Sequence, residues 1–161
     1  MESSQKSLSF PTCFVQSVLL VSLTLIVTAP ALASIDIQRG VRPEAWSTDG
    51  RWLAASRWDR AGLVLIDTSN GTQLQASRAR GAGFHPAWHK QTVYFKEVTS
   101  AGMAIAAFDT ESGERRIIRR DSLLGDPSTA ADLLVFTAAN QLIVLRNERE
   151  IRRITLPGYC N

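Results

Sequence analysis

The sequence is short of the residues that build metal sites and covalent frameworks. Among 161 residues only two are cysteine, Cys13 and Cys160, and two are histidine, His85 and His89. Cys13 falls in a segment that reads as a leader, so the mature chain keeps Cys160 alone and no intramolecular disulfide can form. An idle tail thiol and an intermolecular bridge in an oxidising compartment are the two uses left to it. His85 and His89 are four apart, a spacing that would share one face of a helix, but Pro86 argues against a helix there. No cysteine or carboxylate cluster completes a ligand set with them. A Gly-x-Ser-x-Gly elbow, a phosphate loop, a dinucleotide fingerprint and zinc-ribbon spacing are all missing. These absences predict no metal, no cofactor and no catalytic residue, and so a protein that is not an enzyme.

What is present is an ordinary globular composition behind an apolar start. Hydrophobic residues make up 45% and charged residues 20% of the chain, and the mean hydropathy is near zero, which fits one globular domain without a bias to disorder. Val15 to Thr28 is an uncharged apolar run, preceded by Lys6 and followed by Pro30-Ala31-Leu32-Ala33. A positive start, a hydrophobic stretch and a small-x-small site read as a secretory signal peptide over 1–33. The run is shorter than the roughly 20 residues of a spanning helix, so removal is expected rather than retention in the membrane. Cys13 precedes the run, where a lipoprotein cysteine would end it. Residues 34–161 are then the mature domain, expected in the periplasm or outside the cell.

The most informative stretch runs from Arg42 to Leu74. Asp49-Gly50 and Asn70-Gly71 are strong hairpin signals, because both pairs tolerate the positive φ of a tight turn. Between them lie two apolar runs of strand length, Trp52 to Ser56 and Leu63 to Ile66, separated by the polar segment from Asp59 to Gly62. Trp46 recurs as Trp88, Asp67 as Asp109 and Gly71 as Gly113, each 42 residues on. A fainter copy follows at 41, matching His85-Pro86 with Asp126-Pro127 and Tyr94-Phe95 with Val135-Phe136, with Thr129 in place of the tryptophan. Glu114 to Ile117 likewise resembles Glu150 to Ile154. A period near 40 with four strand-like runs per unit is the mark of propeller blades, which bury both faces only against neighbours. The prediction is an all-β, partial β-propeller of three four-stranded blades, in units of about 42–80, 84–122 and 125–156. A β-meander with similar hairpins is the simpler competitor.

Pro43-x-x-Trp46-Ser47-x-Asp49-Gly50-Arg51-x-Leu53-Ala54, then Ile66-Asp67-x-x-x-Gly71, resembles the WD-like (PD-repeat) propeller unit of the TolB type. The second unit keeps Pro86, Trp88, Asp109 and Gly113 but has Lys90-Gln91 at the turn; the third keeps mainly its strands. The resemblance implies a fold shared by a periplasmic component of the Tol-Pal envelope system and by propeller domains of prolyl-oligopeptidase-like peptidases, and a shared fold does not fix function. It supports an exported, non-catalytic protein-binding or scaffolding module of the envelope. The competing expectation is the propeller portion of a truncated or split peptidase-like or lyase-type enzyme.

Elsewhere, Ile35-Asp36-Ile37-Gln38 alternates as a closing strand would. Arg78 to Gly83 reads as a connector. In the second unit Val93 to Glu97, Ala104 to Phe108 and Arg115 to Arg119 are expected strands, and in the third Leu133 to Ala138, Gln141 to Leu145 and Ile151 to Leu156. Rings of blades close at roughly four to eight, so three blades predict a fragment, an open stack or a homodimer completing a ring. Arg115, Arg116, Arg119 and Arg120, with Arg149, Arg152 and Arg153, lie on the last strands of two units, in a chain of net charge +3 and pI near 9.2. Charge on an outer strand discourages strand addition; a patch for an anionic envelope component or acidic protein is the functional reading. Nucleic acid is not expected, since the basic runs lack an aromatic stacking surface. Trp46 and Trp88 are expected in the core at the repeat position. Trp52 and Trp58, unmatched in the other units and flanked by Arg51, Arg57 and Arg60, are the candidate recognition surface.

Overall fold

A computed structural model describes residues 40–157. The expected signal peptide, the strand at Ile35 to Gln38 and Cys160 lie outside the described residues. Twelve strands form three antiparallel sheets. The first contains β1 (Val41–Trp46), β2 (Trp52–Arg57), β3 (Leu63–Asp67) and β4 (Gln73–Ser77). The second contains β5 (Ala87–His89), β6 (Thr92–Thr99), β7 (Gly102–Asp109) and β8 (Arg115–Asp121). The third contains β9 (Ser128–Ala130), β10 (Leu133–Ala138), β11 (Gln141–Arg146) and β12 (Arg149–Thr155). Each sheet is a plain meander in chain order. The first strands β1, β5 and β9 lie next to one another, so the sheets radiate from their short inner strands as blades do.

The repeated Asp-x-x-x-Gly has a local cause. The carboxylate of Asp67 accepts from the Ser69 amide at 2.9 Å and its hydroxyl at 2.6 Å, while the Gly71 amide closes onto the Asp67 carbonyl at 2.7 Å. Asp109 repeats this with the amides of Glu111 and Ser112 at 3.0 and 2.8 Å and with Gly113 at 2.9 Å. Gly71 and Gly113 take φ of 76° and 72°, a region where a Cβ is costly. Where the first turn has Gly50 at 72°, the later ones put Lys90 at 52° and Ala131 at 50°.

Two apolar layers join the blades. Trp52, Ala54, Leu63 and Leu65 of the first blade meet Trp88, Val93, Phe95 and Phe108 of the second. Tyr94, Ile105 and Ala107, on the other side of the second blade, meet Leu134, Phe136, Ile143 and Leu145 of the third. Strand alternation forces this division, because successive side chains point to opposite faces.

Two expectations about tryptophan reverse. Trp52 is not on the surface: it is 6% exposed within the first layer. Trp46 is not in the core: it is 57% exposed. The register explains both, since Trp46 pairs with Leu53 and so lies on the side of the sheet opposite Trp52 and Ala54. The repeat position faces the preceding blade, and among the described residues no blade precedes the first. Trp88 has that neighbour, is 8% exposed, and its indole donates to the Ala45 carbonyl at 3.3 Å. Thr129 continues the series by donating to the Trp88 carbonyl at 2.7 Å.

Every blade also carries an outer bulge. Ala76, Ile118 and Ile151 are each the unpaired extra residue of the outermost strand, where the registers shift. Such bulges twist an edge and interrupt the row of groups that another strand would need.

Candidate interaction surface

Antiparallel strands place the β2–β3 turn and the connector from β4 to β5 at one end of the blades. Arg57 ends β2, Trp58 and Arg60 lie on that turn, and the connector carries Phe84 and His85. Trp58 is 64% exposed. The Arg60 guanidinium lies 4.3 Å from the centroid of the Phe84 ring, and Phe84 is itself exposed. Arg57 stands 3.7 Å from Asp59. Arg60 and His85 both have positive φ, 56° and 42°, uncommon for residues with side chains. Gly83 fixes the approach: a Cβ there would sit 2.3 Å from the Ser56 Cβ, and its amide bonds the Arg60 carbonyl at 3.3 Å. The connector therefore lies directly on the first blade and holds Phe84 beneath Arg60.

The arginines of β8 are divided. Arg115 pairs with the carboxylate of Glu97, which is 1% exposed and also accepts from the Ser77 hydroxyl at 2.5 Å. This ties the first blade to the second. Arg116 donates to Glu148, 2.9 Å through Nε, and Tyr94 donates to the same carboxylate at 3.0 Å, tying the second blade to the third. Arg119 lies 3.7 Å from Asp121 and 3.9 Å from Glu150. Among the described residues Arg120, Arg149 and Arg152 have no carboxylate within ion-pair distance, and all three are exposed. The structure thus sets Arg57, Trp58 and Arg60 at one end of the first blade, stacks Phe84 on Arg60, uses Arg115 and Arg116 as clamps, and leaves Arg119 near Asp121 and Glu150 and Arg120 on the rim.

The clamps shift their carboxyls. Glu148 is held below its ordinary value chiefly by the Arg116 hydrogen bond, against burial. Tyr94 is pushed up to about 12 by burial and the Glu148 charge. For Asp126 burial alone would raise the carboxyl, but His85 at 2.9 Å and Lys96 at 2.5 Å together outweigh it and lower it. The histidine that matched Asp126 in the repeat is therefore its hydrogen-bond partner. At the opposite end a cleft of about 270 Å³ is lined by His89, Tyr94, Asp132, Asn147 and Glu148. Its carboxylates are already engaged, Asp132 by Arg146 at 2.9 Å and Glu148 by the clamp. Among the described residues no group of three His, Cys, Asp or Glu side chains could hold a metal ion.

This geometry matches known propellers. TolB from Acinetobacter baumannii superposes with a TM-score of 0.57 at 14% identity, over 76% of this chain and 33% of that one. The fold is TolB-like. A putative TolB from Agrobacterium tumefaciens follows at 0.51 and 14% identity, over 71% of this chain and 50% of that one. BamB from Moraxella catarrhalis gives 0.51 at 17% identity, over 65% of this chain and 33% of that one. This chain spans a third to a half of the length of these proteins. No family model matches the sequence, and no curated relative does. The phenylalanine at 84 went unnoticed in the sequence because it falls in a connector outside the repeat; its only signal was a bulky aromatic in an otherwise glycine- and arginine-rich loop.

Proposed function

We propose that this chain is an exported, non-catalytic binding or scaffolding module of the cell envelope, which meets an acidic protein partner through Trp58, Arg57, Arg60 and Phe84. The observation that carries the reading is Trp58, an indole left in solvent on the same turn as an arginine stacked on a second aromatic ring. Tryptophan and arginine in this arrangement are the residue types that dominate contact energy at protein interfaces. The likeness of fold to TolB and BamB chains and the leader-like amino terminus support an envelope location.

A photo-crosslinker at position 58 in cells tests this. The expected result is a discrete adduct in the envelope fraction from position 58 and none from Thr68, on an exposed turn at the other end. Trp58→Ala should abolish binding of the partner so identified while moving the melting temperature by less than about 2 °C, as exposed sites do. A large fall in stability, or adducts of equal yield from both ends, would count against the reading. Cytoplasmic retention of the full-length product would count against export.

A further inference from the structure

We propose that Trp46 of one copy seats on the outward face of the third blade of a second copy, and reciprocally, so that two chains close one ring. One kind of junction is made twice within the described chain. At the first, the residue at the repeat position, Trp88, is buried and bonds the backbone of β1. At the second, Thr129 occupies that position and bonds the backbone of β5. Trp46 holds the same position on β1 and faces the same way, yet it is more than half exposed. A large indole at a junction position is a surface made to be covered.

The complementary surface is on the third blade. Leu134, Phe136, Ile143 and Leu145 face the second blade. Alternation sends Leu133, Val135, Leu142 and Val144 to the other side, and β12 pairs Ile154 with Leu142 there. All five keep part of their surface in solvent. Scattered apolar residues on a surface need no explanation, but these five share one sheet face, four half-buried and Ile154 exposed, with Arg152 opposite Val144 and Arg146 opposite Leu133 at its border, and an apolar stripe with a charged rim is the make-up of a contact site. They continue the pattern by which the second blade presents Tyr94, Ile105 and Ala107 to the third.

A second copy is the occupant that satisfies both surfaces with the chemistry already in use. A two-fold axis makes the two new junctions identical, each a Trp46 edge against a β10–β11 face. Two sets of the three described sheets would give six blades, inside the range of roughly four to eight at which rings close. Closure also removes the exposed apolar face, which open arrays otherwise need a polar cap to tolerate.

Light scattering of the purified full chain at tens of micromolar tests the proposal, and the expected mass is that of two copies. Trp46→Ser and Val144→Asp should each raise the dissociation constant by about 30-fold or more, the scale of an interface hot spot. Both positions are solvent-contacting in the single chain, so circular dichroism should stay unchanged; Leu142→Lys serves in place of Val144→Asp if the latter does not fold. Mixing the Trp46→Ser and Val144→Asp chains leaves one intact junction, and a two-copy species should reappear at intermediate affinity. A single-chain mass for the wild type, a mass beyond two copies, or a dimer indifferent to both substitutions would each overturn the ring. Loss of the Trp58 contact would leave all these masses unchanged, so the two proposals fail separately.

Discussion

At the scale of single residues, the reach of Glu148 is the feature with most consequence. It stands in a two-residue turn with Asn147, both at positive φ, and that turn aims its carboxylate at Arg116 and Tyr94 of the neighbouring blade. A hydrogen bond to a charged group contributes about 1.5–3 kcal/mol, so Glu148→Gln should lower the unfolding free energy read from urea titration by that order. The pH dependence has a definite sign. Because folding lowers the Glu148 pKa, its stabilisation is complete above about 4.5, the ordinary value, and is lost as pH falls through the lower folded value. Because folding raises the Tyr94 pKa from 10.0 to about 12, its contribution is complete below 10 and is lost as pH rises towards 12. Urea titrations of wild type and Tyr94→Phe should therefore converge in that alkaline range and differ below it. Lys90→Gly tests a second local feature: relieving a left-handed lysine at φ 52° should stabilise by about 0.5–1 kcal/mol.

At the scale of strands and turns, glycines separate two kinds of constraint. A Cβ at Gly50 meets nothing within 4 Å, although φ is 72°; at Gly83 it would strike Ser56. Gly50→Ala should cost about 1 kcal/mol from backbone conformation, and Gly83→Ala about 1–3 kcal/mol from overpacking, as read from thermal or urea unfolding. Gly83→Ala should also displace Phe84 and weaken whatever binds near Trp58, which Gly50→Ala should not. The strands, the Asp-Gly and Asn-Gly turns and the four-fold grouping were legible in the sequence because each depends on neighbours within a few positions. The outer bulges were not, since a bulge is a register between two strands and leaves no residue signature at Ala76, Ile118 or Ile151. Nor was the exchange of roles between Trp46 and Trp52, which turns on which of two adjacent faces a five-residue loop delivers to the next blade.

At the scale of the molecule, the second blade is packed on both sides and the others on one described side, so core substitutions should not weigh equally. Phe95→Ala, in the first layer, should cost about 3–5 kcal/mol, enough to threaten a domain of ordinary stability. Val135→Ala, on the outward face of the third blade, should cost much less in dilute solution, where that face is wet. The overall architecture was readable from periodicity, and the candidate surface only in part: Trp58, Arg57 and Arg60 came from being unmatched in the repeat. Phe84 and the acid partners of Arg115 and Arg116 came only from the folded chain, because they join residues from different blades.

The change from indole to hydroxyl along the series Trp46, Trp88, Thr129 has a consequence for module order. Units that all carried the same side chain at that place could be shuffled, duplicated or deleted with little damage. Here a transposition of the second and third units would put a small threonine where a ring is needed and leave a hole of that size, so packing between the sheets fixes the order of the modules.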